Sequence, residues 1–333
     1  MDDAARARLA GWLTRAAGAP VAVTGMALLS GGAVQQNWAL DVMLDNEPRH
    51  WVLRTDNAAT LSVSLSRTAE FALLRTAFEA GVAVPRPLHC CTDAGVTGAP
   101  FFVMQRVAGV AQGHRLVRQD NPGLAAALGG ELARIHAIRP PRRELAFLGA
   151  PPTDPAQDFV ARQRAALDAA RTPRPALEWG LRHLERHAPP AGAPGGTIVL
   201  NHNDFRTGNI MVADGGVTGV LDWEFAGWGD PHADHGWFCA PCWRFGNLAA
   251  EAGGIGRREA FYAGYQAAGG GAIDPARVAW WELAATIRWA VIAADQAGRH
   301  LSGQETNLEL ALTGHIVPEL EWDVLHMTGA RDA

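Results

Sequence analysis

The chain of 333 residues predicts an α+β fold, with a small β-rich N-terminal lobe followed by a larger helical lobe. Two observations lead there. Alternating apolar stretches with turn signals between them are confined to roughly the first hundred residues, and helical periodicity dominates from Gly109 onward. Hydrophobic residues at 48% and charged residues at 19% suit a globular chain with a sizeable core.

Taken in order, 3–17 reads as an amphipathic helix with Leu9, Trp12 and Leu13 on one side. Val21–Leu28, Trp38–Leu44 and Trp51–Leu53 read as an antiparallel meander, its second turn being Asp45-Asn46-Glu47-Pro48. Residues 55–65 are small and polar and predict a mobile loop. A helix from Arg67 to Ala80 is closed by Gly81 with Pro85 beyond. Strands are expected over 87–91 and 101–107. Asn121-Pro122 reads as a cap and first-turn proline opening a helix through Ile138. Further helices are expected over 156–170, 175–187, 256–267, 275–299 and 317–328. The resulting division is a lobe of residues 1–107 and a lobe of residues 108–333.

Composition removes several function classes. A net charge of −5 offers no basic stripe for nucleic acid. No apolar run reaches membrane-spanning length, and the Met1-Asp2-Asp3 start is acidic, so a cytoplasmic protein without a membrane partner is expected. All 29 basic residues are Arg, which rules out a P-loop lysine, a Schiff base and a Ser–Lys nucleophile. Any cation gripping a phosphate must be Arg, a main-chain amide or a metal. The four cysteines, Cys90, Cys91, Cys239 and Cys242, form no disulfide framework. His232, His235, Cys239 and Cys242 share one helix face, where four ligands cannot converge tetrahedrally on one zinc; packed core thiols and imidazoles are the expectation.

The informative stretch is 198–231. A strand leads into Asn201-His202-Asn203-Asp204-Phe205-Arg206-Thr207-Gly208-Asn209, then a hairpin whose second strand ends on Asp222. Phosphoryl transfer needs a carboxylate to orient a hydroxyl and take its proton, and a few hard oxygen ligands to hold magnesium. Asp204 suits the first task, Asn209 and Asp222 the second, and Arg206 places a cation where charge develops. His202 is expected to pack under the loop and bond its backbone.

His202-x-Asp204-x₄-Asn209, followed by Asp222-Trp223-Glu224 and Gly229-Asp230-Pro231, resembles the aminoglycoside phosphotransferase family, which is kinase-like in fold. Within it the chain most resembles the branch containing the kinase-like domain of certain acyl-CoA dehydrogenases. The resemblance implies a bilobal protein-kinase-like fold, ATP or GTP with Mg2+ as cofactors, and a small hydroxylated molecule as acceptor. It also implies that Gly31 and Gly32 belong to a nucleotide-covering loop. Arg54 stands at the usual phosphate-binding lysine position, Glu70 is its ion-pair partner, and the stretch Met104 to Val107, including Gln105, is a hinge whose backbone pairs with a purine. Arg54 is a departure, because a guanidinium can grip either Glu70 or the phosphates bidentately. The Gly loop lacks full protein-kinase spacing, which argues against a protein substrate. Asp230 and Asp234 are expected to brace the catalytic loop; Glu224 either adjoins a second metal site or orients that loop.

The acceptor is open. The carboxylates Asp230, Asp234, Glu251, Glu259 and Glu282 are scattered and read as caps or solvated faces. Trp223, Trp228, Trp237, Trp243, Trp280, Trp281 and Trp289 read first as core; if some line the pocket they suit a flat or apolar acceptor. Arg244, Arg257, Arg258 and Arg288 could then take an anionic group, as on a hydroxyacyl-CoA. Three functions are weighed: an active small-molecule kinase, a nucleotide-binding pseudokinase, and a metal-dependent hydrolase using the His/Cys cluster.

Overall fold

A computed structural model describes residues 1–29, 35–56, 65–119, 121–170, 172–191 and 197–330. The expected glycine loop with Gly31 and Gly32, and most of the expected loop 55–65, lie outside these residues. The chain forms two compact units that interleave in sequence. The first comprises Met1–Val110, Pro141–Gly149 and Ile210–Ala226; the second comprises Ala111–Pro140, Ala150–Asn209 and Gly227–Ala333.

The first unit opens with α1 (Asp3–Ala17), capped by Asp2, whose carboxylate accepts from the Ala5 amide at 2.7 Å. The strands β1 (Val21–Leu28), β2 (Gln35–Leu44) and β3 (Glu47–Asp56) follow, then α2 (Arg67–Glu79), β4 (Pro87–Cys91), α3 (Ala94–Thr97) and β5 (Phe101–Gln105). The strands make one antiparallel sheet in the order β1-β2-β3-β5-β4. The β2–β3 turn places Asp45 and Asn46 at φ 49° and 63°, left-handed values that short polar side chains tolerate. Leu9 and Leu13 of α1 bury against Leu40, Leu53, Phe101 and Val103 on one sheet face. Ser66 caps α2 through the Ala69 amide, and α2 lies along β4 and β5.

In the second unit the helices α4 (Gly113–Leu116), α5 (Leu124–His136), α6 (Pro155–Ala169) and α7 (Pro175–Arg186) precede the short strand β6 (Val199–Asn201). The chain then returns to the first unit for the hairpin β7 (Ile210–Ala213) and β8 (Gly216–Val220). Beyond it the second unit resumes with β9 (Gly227–Gly229), α8 (Pro231–Cys239), α9 (Arg258–Ala267), α10 (Pro275–Leu301), α11 (Leu308–Gly314) and α12 (Val317–Met327). Three of these helices, α6, α8 and α10, begin with Asp-Pro. The aspartate accepts a first-turn amide and the proline needs no donor there. The start of α5 differs from expectation: it is Leu124, after Gly123, with no side-chain cap. The Leu124 amide instead turns back onto the Asn121 carbonyl, so Asn121 and Pro122 form the turn before the helix. Leu177, Leu181, Trp280, Trp281, Ile287 and Val324 form the main core of this unit, and Phe159 meets Trp281 edge-on at 5.6 Å.

The hairpin β7–β8 belongs to the first unit by direct pairing. Val110 and Val212 exchange amide bonds at 2.9 and 3.1 Å, and Val220 donates to the Ala83 carbonyl at 2.7 Å. Gly109 makes the approach possible: its φ is 137°, and a Cβ there would sit 2.7 Å from the Val212 carbonyl oxygen.

Candidate active site

The expected functional side chains fall into two clusters, one in each unit. In the second unit, β6 pairs antiparallel with β9, Asn201 opposite Gly227, and this ladder launches the loop 202–209. The loop is held by the buried carboxylate of Asp234 on α8. Asp234 takes the His202 amide on Oδ2 and the Asn203 amide on Oδ1, both at 2.8 Å. Its Oδ2 also accepts from His136 Nε2 at 3.2 Å, and Tyr265 donates its hydroxyl to His136 Nδ1 at 2.9 Å. Asp234 is fully buried; burial opposes its charge, but the His136 hydrogen bond and nearby imidazoles hold its carboxyl below the ordinary aspartate value. Asp230 caps α8 through the His232 amide, and its other oxygen accepts from Arg277 and from Trp281 Nε1. Asn201 donates to the Asp230 carbonyl at 2.7 Å. Asp234 thus braces the loop itself, while Asp230 reaches only the strand before it, through the Asn201 side chain. His202 packs beneath the loop, and its Nδ1 accepts the Asp204 amide at 3.2 Å.

This bracing leaves Asn203 at φ 61°, a left-handed value for a non-glycine residue, with its amide on Asp234 and its carbonyl accepting from Arg288 Nη1 at 2.8 Å. Asp204 follows, its side chain 12% exposed and met by three donors. Asn209 Nδ2 reaches Oδ2 at 2.6 Å, Trp237 Nε1 reaches Oδ1 at 3.0 Å, and Arg206 Nε lies 3.1 and 3.3 Å from the two oxygens. Asn209 Nδ2 also bonds the Asp204 carbonyl at 2.9 Å. Asp204, Arg206 and Asn209 are therefore brought together. The Arg206 guanidinium lies 4.9 Å over Trp243.

In the first unit, Arg54 and Glu70 are both buried, on β3 and α2 respectively. Arg54 Nε lies 2.9 Å from Glu70, and Nη2 lies 2.6 Å from Asp222 Oδ1. Burial alone would disfavour the charged guanidinium, yet the two carboxylates raise its pKa well above the ordinary arginine value. Glu70 also pairs with Arg67. The sequence left open whether Arg54 grips Glu70 or phosphates; here it bridges two carboxylates. Asp222 sits at φ 68°, just past β8, with its side chain about one-third exposed. Glu224 is buried, and its carbonyl accepts the Leu65 amide at 3.2 Å. At the expected hinge the amides of Gln105 and Arg106 are already engaged, by the carbonyls of Arg86 and His50. Val107 is half-buried.

Cys239 is buried and its thiol is pushed up to about 12, while burial raises Cys242 as well. His232 donates from Nδ1 to Asp230 and accepts the Asp274 amide on Nε2; His235 donates from Nδ1 to the Pro231 carbonyl. Among the described residues no group of three or more His, Cys, Asp or Glu could hold a metal ion. Trp223, Trp237, Trp243, Trp280 and Trp281 are core residues. The four candidate arginines already have partners: Arg244 the Cys239 and Leu248 carbonyls, Arg257 Glu259, Arg258 Glu251 and Glu282, and Arg288 the Asn203 carbonyl. Among the described residues no helix is long and apolar enough to cross a membrane. Sequence reasoning missed His136, and it weighed Trp237 as core or pocket lining rather than as a partner of Asp204. Each acts across a long stretch of chain, and no local pattern marks them.

A family model described as the phosphotransferase enzyme family, APH, matches residues 26–281. The chain belongs to that family. The mouse acyl-CoA dehydrogenase family member 10 is 30% identical over 203 residues, which are 57% of this chain; the chain spans only 18% of that relative's length. A solved structure from Ralstonia eutropha JMP134 superposes with a TM-score of 0.72 at 18% identity, covering 97% of this chain and 98% of that one. The spectinomycin phosphotransferase APH(9)-Ia, solved with ADP and spectinomycin, gives 0.66 at 13% identity, covering 98% of both chains. The fold is thus the α+β, kinase-like fold of the phosphotransferases.

Proposed function

We propose that this phosphotransferase moves the γ-phosphate of ATP or GTP, with magnesium, to a hydroxyl of a small molecule, a hydroxyacyl-CoA being the first candidate and an aminoglycoside-like compound the second. The observation that carries this reading is the Asp204 carboxylate, held by three donors at the end of a braced loop. In this role Asp204 orients the acceptor hydroxyl and receives its proton as the oxygen attacks phosphorus. Arg206, whose Nε rests on Asp204, turns its guanidinium to the transferring phosphate as charge develops. Asn209 and Asp222 are the metal ligands. Their chemistry fits: Asn209 commits its amide nitrogen to Asp204, which leaves Oδ1 for a hard cation, and Asp222 is a partly exposed carboxylate. Magnesium at those oxygens would neutralise the phosphates. Arg54 serves the phosphates and Glu70 orients it; Gly31 and Gly32 cover the nucleotide, and the Gln105 carbonyl and Val107 main chain meet the purine.

The hydroxyacyl-CoA candidate draws on the likeness to an acyl-CoA dehydrogenase family member, and the aminoglycoside-like one on the likeness to the spectinomycin enzyme. One observation favours a second reading, a nucleotide-binding pseudokinase: the Arg54–Asp222 ion pair already engages a proposed metal ligand. An acceptor panel of hydroxyacyl-CoAs, aminoglycosides, choline and sugars, run with ATP and with GTP, separates the two. Magnesium-dependent transfer to a hydroxyacyl-CoA is the expected result. Nucleotide binding without transfer to any member would favour the pseudokinase.

A further inference from the structure

The three donors on Asp204 are not equivalent. Asn209 and Arg206 each have a further task toward the nucleotide in the proposed reaction, so their bonds to Asp204 are subject to change as ligands arrive. Trp237 has no such task. Its indole is donor-only, uncharged, 4% exposed and governed by two side-chain torsions, and its Nε1–H reaches Asp204 Oδ1 at 3.0 Å. The ring is held on two sides. Trp243 packs at 5.1 Å between centroids, and the Arg288 guanidinium lies 4.5 Å over the indole. Arg288 also donates to the carbonyl of Asn203, the left-handed residue directly before Asp204. Burial disfavours the charge on Arg288, while Asp204 and Asp234 nearby favour it. This buried cation places its hydrogen bond on a main-chain carbonyl, and that choice ties the backbone and the side-chain support of Asp204 to a single helix, α10.

We infer that Trp237 is a positioning residue for the catalytic carboxylate, its indole N–H fixing Asp204 Oδ1 while Arg288 clamps the indole and the Asn203 carbonyl. The inference rests on the reading of Asp204 as the base. It explains why a tryptophan far along the chain stands beside the loop: phenylalanine would fill much of the same space but could not orient the carboxylate.

The test uses the full chain and two readouts. In a 1H–15N spectrum the Trp237 indole resonance, identified by its loss in Trp237→Phe, shifts in Asp204→Ala more than the other indole resonances do. In steady-state ADP release from magnesium-ATP, with a hydroxyacyl-CoA or water as acceptor, Trp237→Phe lowers kcat about tenfold while nucleotide KM stays within about twofold. Arg288→Met, which leaves the indole in place, lowers kcat in the same way with nucleotide KM within about twofold, and wild-type kcat in it overturns the inference should Trp237→Phe fail to fold. An indole resonance indifferent to Asp204→Ala, or wild-type kcat in Trp237→Phe, overturns the inference. Wild-type kcat in Asp204→Asn instead overturns the reading of Asp204 as base, so the two failures are distinguishable.

Discussion

Asp234→Asn isolates the support of the catalytic loop, because it changes one oxygen to nitrogen in a fully buried side chain. The carboxylate accepts the His202 and Asn203 amides at 2.8 Å and His136 Nε2 at 3.2 Å. An asparagine offers one oxygen and one N–H₂. If the oxygen stays with His202 and His136, the Asn203 amide faces another donor; in the opposite orientation the His202 amide does. One buried loop amide is left without an acceptor either way, which costs about 1–3 kcal/mol, and the misplaced N–H₂ brings the total to about 2–4 kcal/mol. The displaced loop also carries Asp204. A shift on the order of an ångström there costs about a hundredfold in turnover. Urea unfolding and magnesium-dependent turnover measure the two effects. A variant within about 0.5 kcal/mol of wild type, or a destabilised variant with undiminished kcat, would refute the reasoning.

Other consequences concern acid stability and packing. Burial pushes His235 down to about 3 from 6.5, so between these values the unfolded chain holds a proton on this residue that the native chain does not. Stability therefore falls as pH drops below about 6.5, and this site contributes about 2 kcal/mol of that loss by pH 5. Urea midpoints at pH 7.5 and 5.0 should lie closer together in His235→Gln than in wild type; equal spacing would contradict the assignment. Gly264→Ala should destabilise by about 2 kcal/mol or more, because its Cβ would sit 2.0 Å from the Ala126 carbonyl oxygen where α9 crosses α5. Gly130→Ala meets only ordinary contacts, the nearest 3.8 Å away, and should be neutral or stabilising by up to about 1 kcal/mol in thermal unfolding.

The parts of this molecule legible from sequence are those set by local chemistry. The Asp45-Asn46 turn, the alternation in β2 and the helical spans of α6, α7 and α10 follow from φ preferences and period. The nearness of Asp204 and Asn209 was legible because they stand in one short loop, as their two hydrogen bonds show. What stayed hidden depends on partners far apart. The brace from His136 to Asp234 spans 98 positions, the Trp237–Asp204 bond 33 and the Arg54–Asp222 pair 168, and no propensity or periodicity encodes such pairings. The start of α5 was misplaced because Asn-Pro reads equally as a cap or as a turn; tertiary context chose the turn. Arginines 244, 257, 258 and 288 looked spare in the sequence, yet each meets a carbonyl or carboxylate within its own unit.

Transfer of labelled γ-phosphate from ATP or GTP by wild type and by Asp204→Asn tests the central claim most directly. The substitution keeps the side chain's size and removes its ability to take a proton. Magnesium-dependent transfer should fall at least a hundredfold, roughly the scale of general-base catalysis, while nucleotide affinity changes little. Asp204→Asn transferring phosphate at the wild-type rate would contradict that claim.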